Sequence, residues 1–243
     1  MELKRLMKDA GIVGAGGAGF PSYAKLAEGA DTLLINGAEC EPLLYTDYFL
    51  LKRELTLVLS GINTVLDNTT IPRAVLAIKQ HTAKRLSFSD GEMLDDRIKV
   101  KILPDVYPIG DEVSLIYEAL GRLVNPASLP ITVGVIVYNV ETMYNLGRMV
   151  RFGEPVLNKW LTIGGDIAEP MVVRVPIGTP VEELFEKLKE IFRIEVKRKA
   201  RRLSKGMQKQ VAFWLAICCK PEVLILDEPV DGLDPVMRRQ IWS

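Results

Sequence analysis

The sequence predicts an α/β fold built on a parallel sheet, and three observations predict it. Short β-branched runs alternate with stretches of helical spacing between Asp31 and Arg151, the signature of strand–helix layering. Polar or glycine-rich clusters stand beside these elements, and in an open parallel sheet the carboxyl ends of the strands are where ligands gather. After Pro155 the pattern changes to short strands and turn residues, and from about Phe192 a third section begins.

Each element follows from its local residues. Residues 2–8 have the spacing of a short amphipathic helix, and Pro21 suits the first turn of another over 22–27. DTLLIN (31–36), RAVLAIK (73–79), RIKVKIL (97–103) and ITVGVIVY (131–138) read as strands. A single helix is expected over 46–66, with Thr46 or Asp47 as its N-cap, and further helices over 111–120 and 140–151. Short strands are expected over 159–163 and 171–175, separated by GGDIAEP, then an acidic helix over 181–191. The domains predicted are 1–153, 154–191 and 192–243.

Composition narrows the functional classes. Formal net charge is zero over 243 residues, so no global field points to nucleic acid or to a membrane surface. Lys197, Arg198, Lys199, Arg201, Arg202, Lys205 and Lys209 form a local basic run without an acid among them, the pattern of a solvated face or linker. The cysteines are Cys40, Cys218 and Cys219; no C-x-x-C spacing occurs, and an iron–sulfur cluster or zinc site held by this chain alone is not expected. His81 is the single histidine. No stretch reaches the roughly eighteen apolar residues that a membrane helix needs, and the start lacks a signal-peptide core. The expected location is cytoplasmic, at most peripheral on the inner face of the cell membrane, with no membrane span and no nucleic-acid partner.

Gly14-Ala15-Gly16-Gly17-Ala18-Gly19 satisfies G-x-G-x-x-G. A Rossmann fingerprint needs an apolar strand immediately before it, whereas ELKRLMKDA precedes this one. Walker A fails as well, because Phe20 and Pro21 follow Gly19. The physical reading survives both exclusions: glycines expose backbone N–H groups to an anion, and Lys25 lies close enough in sequence to reach a phosphate. The alternative is a tight structural turn. Asn36, Glu39 and Glu41 form a second cluster; Tyr107, Gly110, Asp111 and Glu112 a third; Asn139 and Thr142 a fourth. All four are expected to converge on one crevice.

GIVGAGGAGFPSYAKL, LLINGAECEPLLYTD, YPIGDE, VGVIVYNVETMYNL and VRVPIGTPVEEL, in that order, resemble the RnfC-type component of Rnf electron-transport complexes. They are also similar to the flavin-bearing, NADH-oxidising subunit of respiratory complex I. The resemblance implies a Rossmann-like domain holding FMN, followed by a β-grasp module of the SLBB type. It implies that Gly14, Gly16, Gly17, Gly19 and Lys25 hold the FMN phosphate and ribityl chain. Asn36, Glu39 and Glu41 would line the flavin and the nicotinamide side. Tyr107, Gly110, Asp111 and Glu112 would flank the ring and NADH, with Asn139 and Thr142 at the phosphate end. Glu41 and Glu112 are the candidate catalytic residues, the cofactors FMN and NADH, and the partners other subunits of a membrane electron-transport complex. Two departures stand out: the family's cluster-binding cysteines and the long N-terminal extension of the Rnf proteins are absent from this sequence.

The last section carries a different resemblance. Leu203-Ser204-Lys205-Gly206-Met207-Gln208 resembles the signature loop of an ABC-transporter ATPase, VLILD with Glu228-Pro229 its Walker B strand, and Asp231-Gly232-Leu233-Asp234 its D-loop. The resemblance implies that Ser204, Gly206 and Gln208 contact a γ-phosphate, that Asp227 holds Mg²⁺ through water, and that Glu228 polarises the attacking water. No Walker A lysine is present and the expected switch histidine is not reached. ATP and Mg²⁺ are expected only if this truncated fragment pairs with a complete ATPase, and the join is expected near 187–200 as that of a chimaeric gene.

Overall fold

The computed structural model describes residues 2–17, 19–41, 43–125, 128–163, 170–181 and 183. The expected loop over 164–169, most of the expected helix over 181–191, and Ser204, Gly206, Gln208, Asp227 and Glu228 lie outside the described residues.

Helix α1 (Glu2–Asp9) buries Leu3 and Met7 and leads into the glycine loop. Strand β1 (Thr32–Gly37) is followed by α2 (Thr46–Arg53), α3 (Leu55–Asp67), β2 (Ala74–Lys79), α4 (Gln80–Leu86), β3 (Met93–Asp95), β4 (Ile98–Leu103), α5 (Glu112–Leu120), β5 (Val135–Asn139), α6 (Val140–Phe152), β6 (Asn158–Ile163) and β7 (Met171–Pro176). The first five strands form one sheet in the order β3-β4-β2-β1-β5. β4, β2, β1 and β5 run parallel, and β3 pairs antiparallel on the edge. Leu33, Leu34 and Ile35 are sealed from solvent, as expected where helices cover both faces. One face packs against α1, α2, α3 and α6, and the other against α5. The predicted α/β fold is the observed one.

From β1 the chain steps outward to β2 and β4, then returns to place β5 on the other flank of β1. The strand order therefore reverses between β1 and β5, and the register sets Asn36 beside Asn139 at that point. Open parallel sheets bind ligands outside the carboxyl ends at such a reversal.

Several expectations need correction. The helix over 46–66 is two helices, broken at Glu54. Every residue there tolerates helix, so the break is tertiary: α3 is drawn onto α6, where Gly61 and Gly147 let the backbones touch. A Cβ on Gly61 would sit 1.9 Å from the Met143 carbonyl oxygen, and one on Gly147 2.0 Å from that of Leu57. Neither Thr46 nor Asp47 caps α2. Tyr45 occupies the N-cap position without a side-chain bond, and the N–H groups of Asp47 and Tyr48 go to Glu39 instead. The strand over 131–138 begins only at Val135, because Pro130–Val133 forms a 3-10 turn ended by left-handed Gly134 (φ 75°). The helix over 22–27 is likewise a 3-10 turn, Ser22–Lys25.

β6 and β7 pair antiparallel as a separate two-stranded sheet. Trp160 of β6 packs against Phe49 and Tyr144, with ring centroids 5.0 and 6.0 Å away.

Candidate functional site

The glycine loop leaves α1 and returns through an isolated bridge between Val13 and Pro21. Gly14 closes it by donating its N–H to the Phe20 carbonyl at 2.7 Å. Its far end is tied across the fold: Ala15 N–H donates to Thr142 Oγ1 at 3.1 Å, and Lys159 Nζ donates to the Ala15 carbonyl at 3.3 Å. Tyr138 supports the exit of the loop by donating its hydroxyl to the Ser22 carbonyl at 2.6 Å. Gly16 and Gly17, between these ties, are exposed, and their N–H groups meet no acceptor among the described residues. A Cβ placed on Gly16, Gly17 or Gly19 would meet nothing within 4 Å. The loop is thus an open, pinned row of backbone donors, as an anion requires.

Lys25 turns its ammonium toward the sheet. It donates to Glu112 Oε1 at 2.8 Å and to the Val137 carbonyl at 3.1 Å, joining the turn after the glycine loop to the start of α5. Asn36 joins β1 to the same region, donating from Nδ2 to the Gly110 carbonyl at 2.9 Å while its Oδ1 accepts from Ala38 N–H. Gly110 N–H donates to Cys40 Sγ at 2.9 Å. Only glycine fits there: a Cβ would lie 2.5 Å from the Ala38 carbonyl oxygen and 2.7 Å from Cys40 Sγ. Asp111 caps α5, accepting from the N–H groups of Val113 and Ser114. Asn139 caps α6 through Glu141 N–H, and its Nδ2 donates to Asp47 Oδ2 at 2.9 Å.

These bonds bring the four predicted clusters to one end of the sheet. They also divide the residues by what their side chains do. Asn36, Glu39, Asp111, Asn139 and Thr142 spend their polar atoms on neighbouring backbone or side chains and hold the loops in place. The glycine N–H row, the Lys25–Glu112 pair, Glu41 and the ring of Tyr107, which is 68 % exposed beside a cis peptide bond to Pro108, are open to a ligand. Phe20, half exposed, adds a second aromatic face. This combination suits FMN in its chemistry: free N–H groups that an anion requires, and exposed aromatic surface that a planar ring requires.

Sequence reasoning missed a buried acidic knot beneath the site. Glu39 accepts the N–H groups of Asp47 at 2.9 Å and Tyr48 at 3.2 Å. Asp47 and Glu141 are both buried; Lys159 pairs with Glu141, which also accepts from Trp160 N–H. Burial, followed by the neighbouring Glu39 charge, pushes the Asp47 carboxyl well above the usual carboxylate range, and burial raises Glu39 too. Backbone N–H donors on both Glu39 oxygens oppose its burial by favouring the ionised form, whereas Asp47 is held by a single side-chain N–H from Asn139. The signal for the knot was the acidic spacing of Glu39, Asp47 and Glu141, which nothing local distinguishes from solvated carboxylates.

Known proteins resemble this chain in sequence and in fold. The family described as Nuo51 FMN-binding domain matches residues 7–148, and a second, ABC transporter, matches residues 131–231. Cobalamin reductase PduS of Salmonella typhimurium is 41 % identical over 184 residues, covering 76 % of this chain and 41 % of that protein. Cobalamin reductase PduS of Citrobacter freundii is 40 % identical over 183 residues, covering 75 % of this chain and 40 % of that protein. A component of the ion-translocating oxidoreductase complex of Pseudomonas aeruginosa is 35 % identical over 190 residues, covering 76 % of this chain and 24 % of that one. The chain thus spans well under half the length of these relatives. A chain of an NAD+-reducing [NiFe]-hydrogenase shares the fold, with a TM-score of 0.61 and 24 % identity over 75 % of this chain and 37 % of that one. With its strand-order reversal, its pinned glycine loop and the match over residues 7–148, the chain belongs to the family of Nuo51-type FMN-binding domains.

Proposed function

We propose that this chain is the flavin-bearing input domain of an electron-transfer assembly, taking hydride from NADH. The observation that carries the reading is the unpaired N–H row of Gly16 and Gly17, pinned by Thr142 and Lys159 beside the β1–β5 reversal. Gly16, Gly17, Gly19 and Lys25 hold the FMN phosphate in this reading. Tyr107 lies toward the ring, and Glu41 and Glu112 orient the nicotinamide side. Bound FMN supplies the acceptance of hydride, while the protein supplies orientation and electrostatics. Lys25 has two positions open to it: paired with Glu112 as found, or turned to a phosphate, which frees Glu112 toward the crevice.

The division into 1–153, 154–191 and 192–243 is part of the proposal, with the β6–β7 hairpin as the start of the SLBB module. So are the partners: several relatives are by name components of ion-translocating oxidoreductase complexes, and no helix among the described residues is long and apolar enough to cross a membrane. A second reading, an ATP-binding fragment, rests on the ABC transporter match over 131–231. Its proposed ATP-contacting residues are Ser204, Gly206, Gln208, Asp227 and Glu228.

The test is reconstitution of the full chain with FMN, followed by desalting and anaerobic addition of NADH. The expected result is retained flavin absorbance that NADH bleaches. Lys25→Met and Thr142→Val are each expected to weaken FMN retention about tenfold, the loss of one charge-assisted or loop-ordering bond. A colourless protein after reconstitution would sink the reading.

A further inference from the structure

A hollow of about 170 Å³ lies between α2 and α4, lined on one side by the segment from Glu39 to Glu41. Lys79 and Arg85 line it together with Tyr45, Tyr48 and His81. Lys79 is 8 % exposed, yet its ammonium enters no ion pair or hydrogen bond among the described residues. It is not a sealed orphan either, so the little surface it keeps includes the charged end. A buried cation without a counter-charge is costly. Arg85 likewise has no carboxylate partner among the described residues; it rests over the rings of Tyr45 and Tyr48, 5.8 and 5.9 Å from their centroids. Stacking holds the guanidinium while leaving its donors free.

The acids nearby do not pair with either cation. Both oxygens of Glu39 accept N–H groups of α2, and His81 is matched by Asp105, at 2.6 Å. Glu41 lines the same hollow and is the one carboxylate there with no partner among the described residues. Two cations without a bonded partner therefore share the hollow with the carboxylates of Glu39 and Glu41, and what they offer a ligand is free donors, not an excess of positive charge. The volume is also decisive: pockets that enclose drug-sized molecules run to several hundred Å³, so a dinucleotide does not fit here.

We infer that this hollow is an oxyanion subsite beside the flavin crevice, sharing the Glu39–Glu41 segment with it, in which Lys79 and Arg85 receive the phosphate or carboxylate group of a small ligand. The hollow meets the flavin side at Cys40, whose Sγ takes the Gly110 N–H. The subsite does not depend on the flavin reading.

His81 is the only histidine in the chain, so its ring resonances report on the hollow without ambiguity. The full chain is titrated with inorganic phosphate, with acetate, and with chloride at matched ionic strength and pH. A saturable ring shift is expected with at least one of the two oxyanions and none with chloride; the tighter of the two identifies the source. Lys79→Met and Arg85→Met are each expected to weaken the response about tenfold, and Lys79→Arg to keep it. Arg85 is exposed, so its variant carries the test if Lys79→Met does not fold. A shift equal in chloride, or unchanged in Arg85→Met, overturns the assignment. FMN uptake is followed in the same samples. Loss of flavin together with the oxyanion response in Lys79→Arg would merge the hollow with the crevice and overturn its independence, whereas failure of FMN uptake in every sample leaves it standing.

Discussion

Single residues at this site divide into those that offer atoms to a ligand and those that fix the loops, and the buried Asp47 shows how far the second kind reaches. Its carboxyl accepts from Asn139, which in turn caps α6, so the group links α2 to the helix whose Thr142 pins the glycine loop. Its folded pKa lies above its unfolded value. Such a group favours the folded state fully below the unfolded pKa, and that contribution is lost as pH rises from about 4 toward the folded value. Asp47→Asn keeps the acceptor and removes the ionisation. In denaturant titrations its stability is expected to gain on the parent as pH rises from about 4 to about 8, by about 1.4 kcal/mol for each pH unit by which the folded value is raised; a constant gap across that range would disprove it. Gly110→Ala tests the other kind of constraint. Its Cβ would collide with the Ala38 carbonyl and Cys40 Sγ, at a cost of about 1–3 kcal/mol, and the same displacement should weaken FMN retention. Gly110 was legible in the sequence as part of a cluster before a helix. Its contact with Cys40, 70 positions away, was not, because a thiol accepting a backbone N–H has no local signature.

At the level of elements, the strands and most helices were legible because apolar periodicity and turn residues act locally. β2, β4, α1 and α6 begin and end within a residue or two of expectation. What escaped was decided between elements. The break at Glu54 and the delayed start of β5 arise from packing and from Gly134 in a left-handed turn. Helix α4 and strand β3 are too short for periodicity to declare them. The α3–α6 contact is the strongest of these long-range terms, since both Gly61 and Gly147 sit where a methyl group would enter opposing backbone. Gly61→Ala gains helix propensity, roughly 1 kcal/mol, and loses the crossing. The loss should win by a few kcal/mol because backbone cannot yield as a side chain does. A chain of this size shifts by about 2–4 °C for each kcal/mol, so thermal melting by circular dichroism is expected to fall by several degrees. An unchanged or raised midpoint would show that the helices can separate freely.

For the molecule as a whole, the question is whether the α/β layer and the hairpin open together. In β1, β2 and β5 most residues are buried, several of them completely. Every residue of β6 is only partly covered, and β7 is more open still. A two-stranded sheet is marginal by itself, so the hairpin depends on what it touches. Trp160 against Phe49 and Tyr144, the Lys159–Glu141 pair, and Thr162 accepting from Tyr45 N–H supply those contacts. Against them stands Trp160 Nε1, buried without a partner among the described residues, which costs about 1–3 kcal/mol. The hairpin should therefore open in a sub-global step below full unfolding. Native-state hydrogen exchange is expected to give the amides of β6 and β7 a lower opening free energy than those of Leu33, Leu34 and Ile35. Lys159 bonds both Glu141 and the Ala15 carbonyl, so each such opening also releases one tie on the glycine loop. FMN, bound to that loop, should raise the protection of β6 more than that of β1. Equal protection in β1 and β6 without flavin would mean the hairpin and the layer are one cooperative unit, and the coupling through Lys159 would have no separate step to act on.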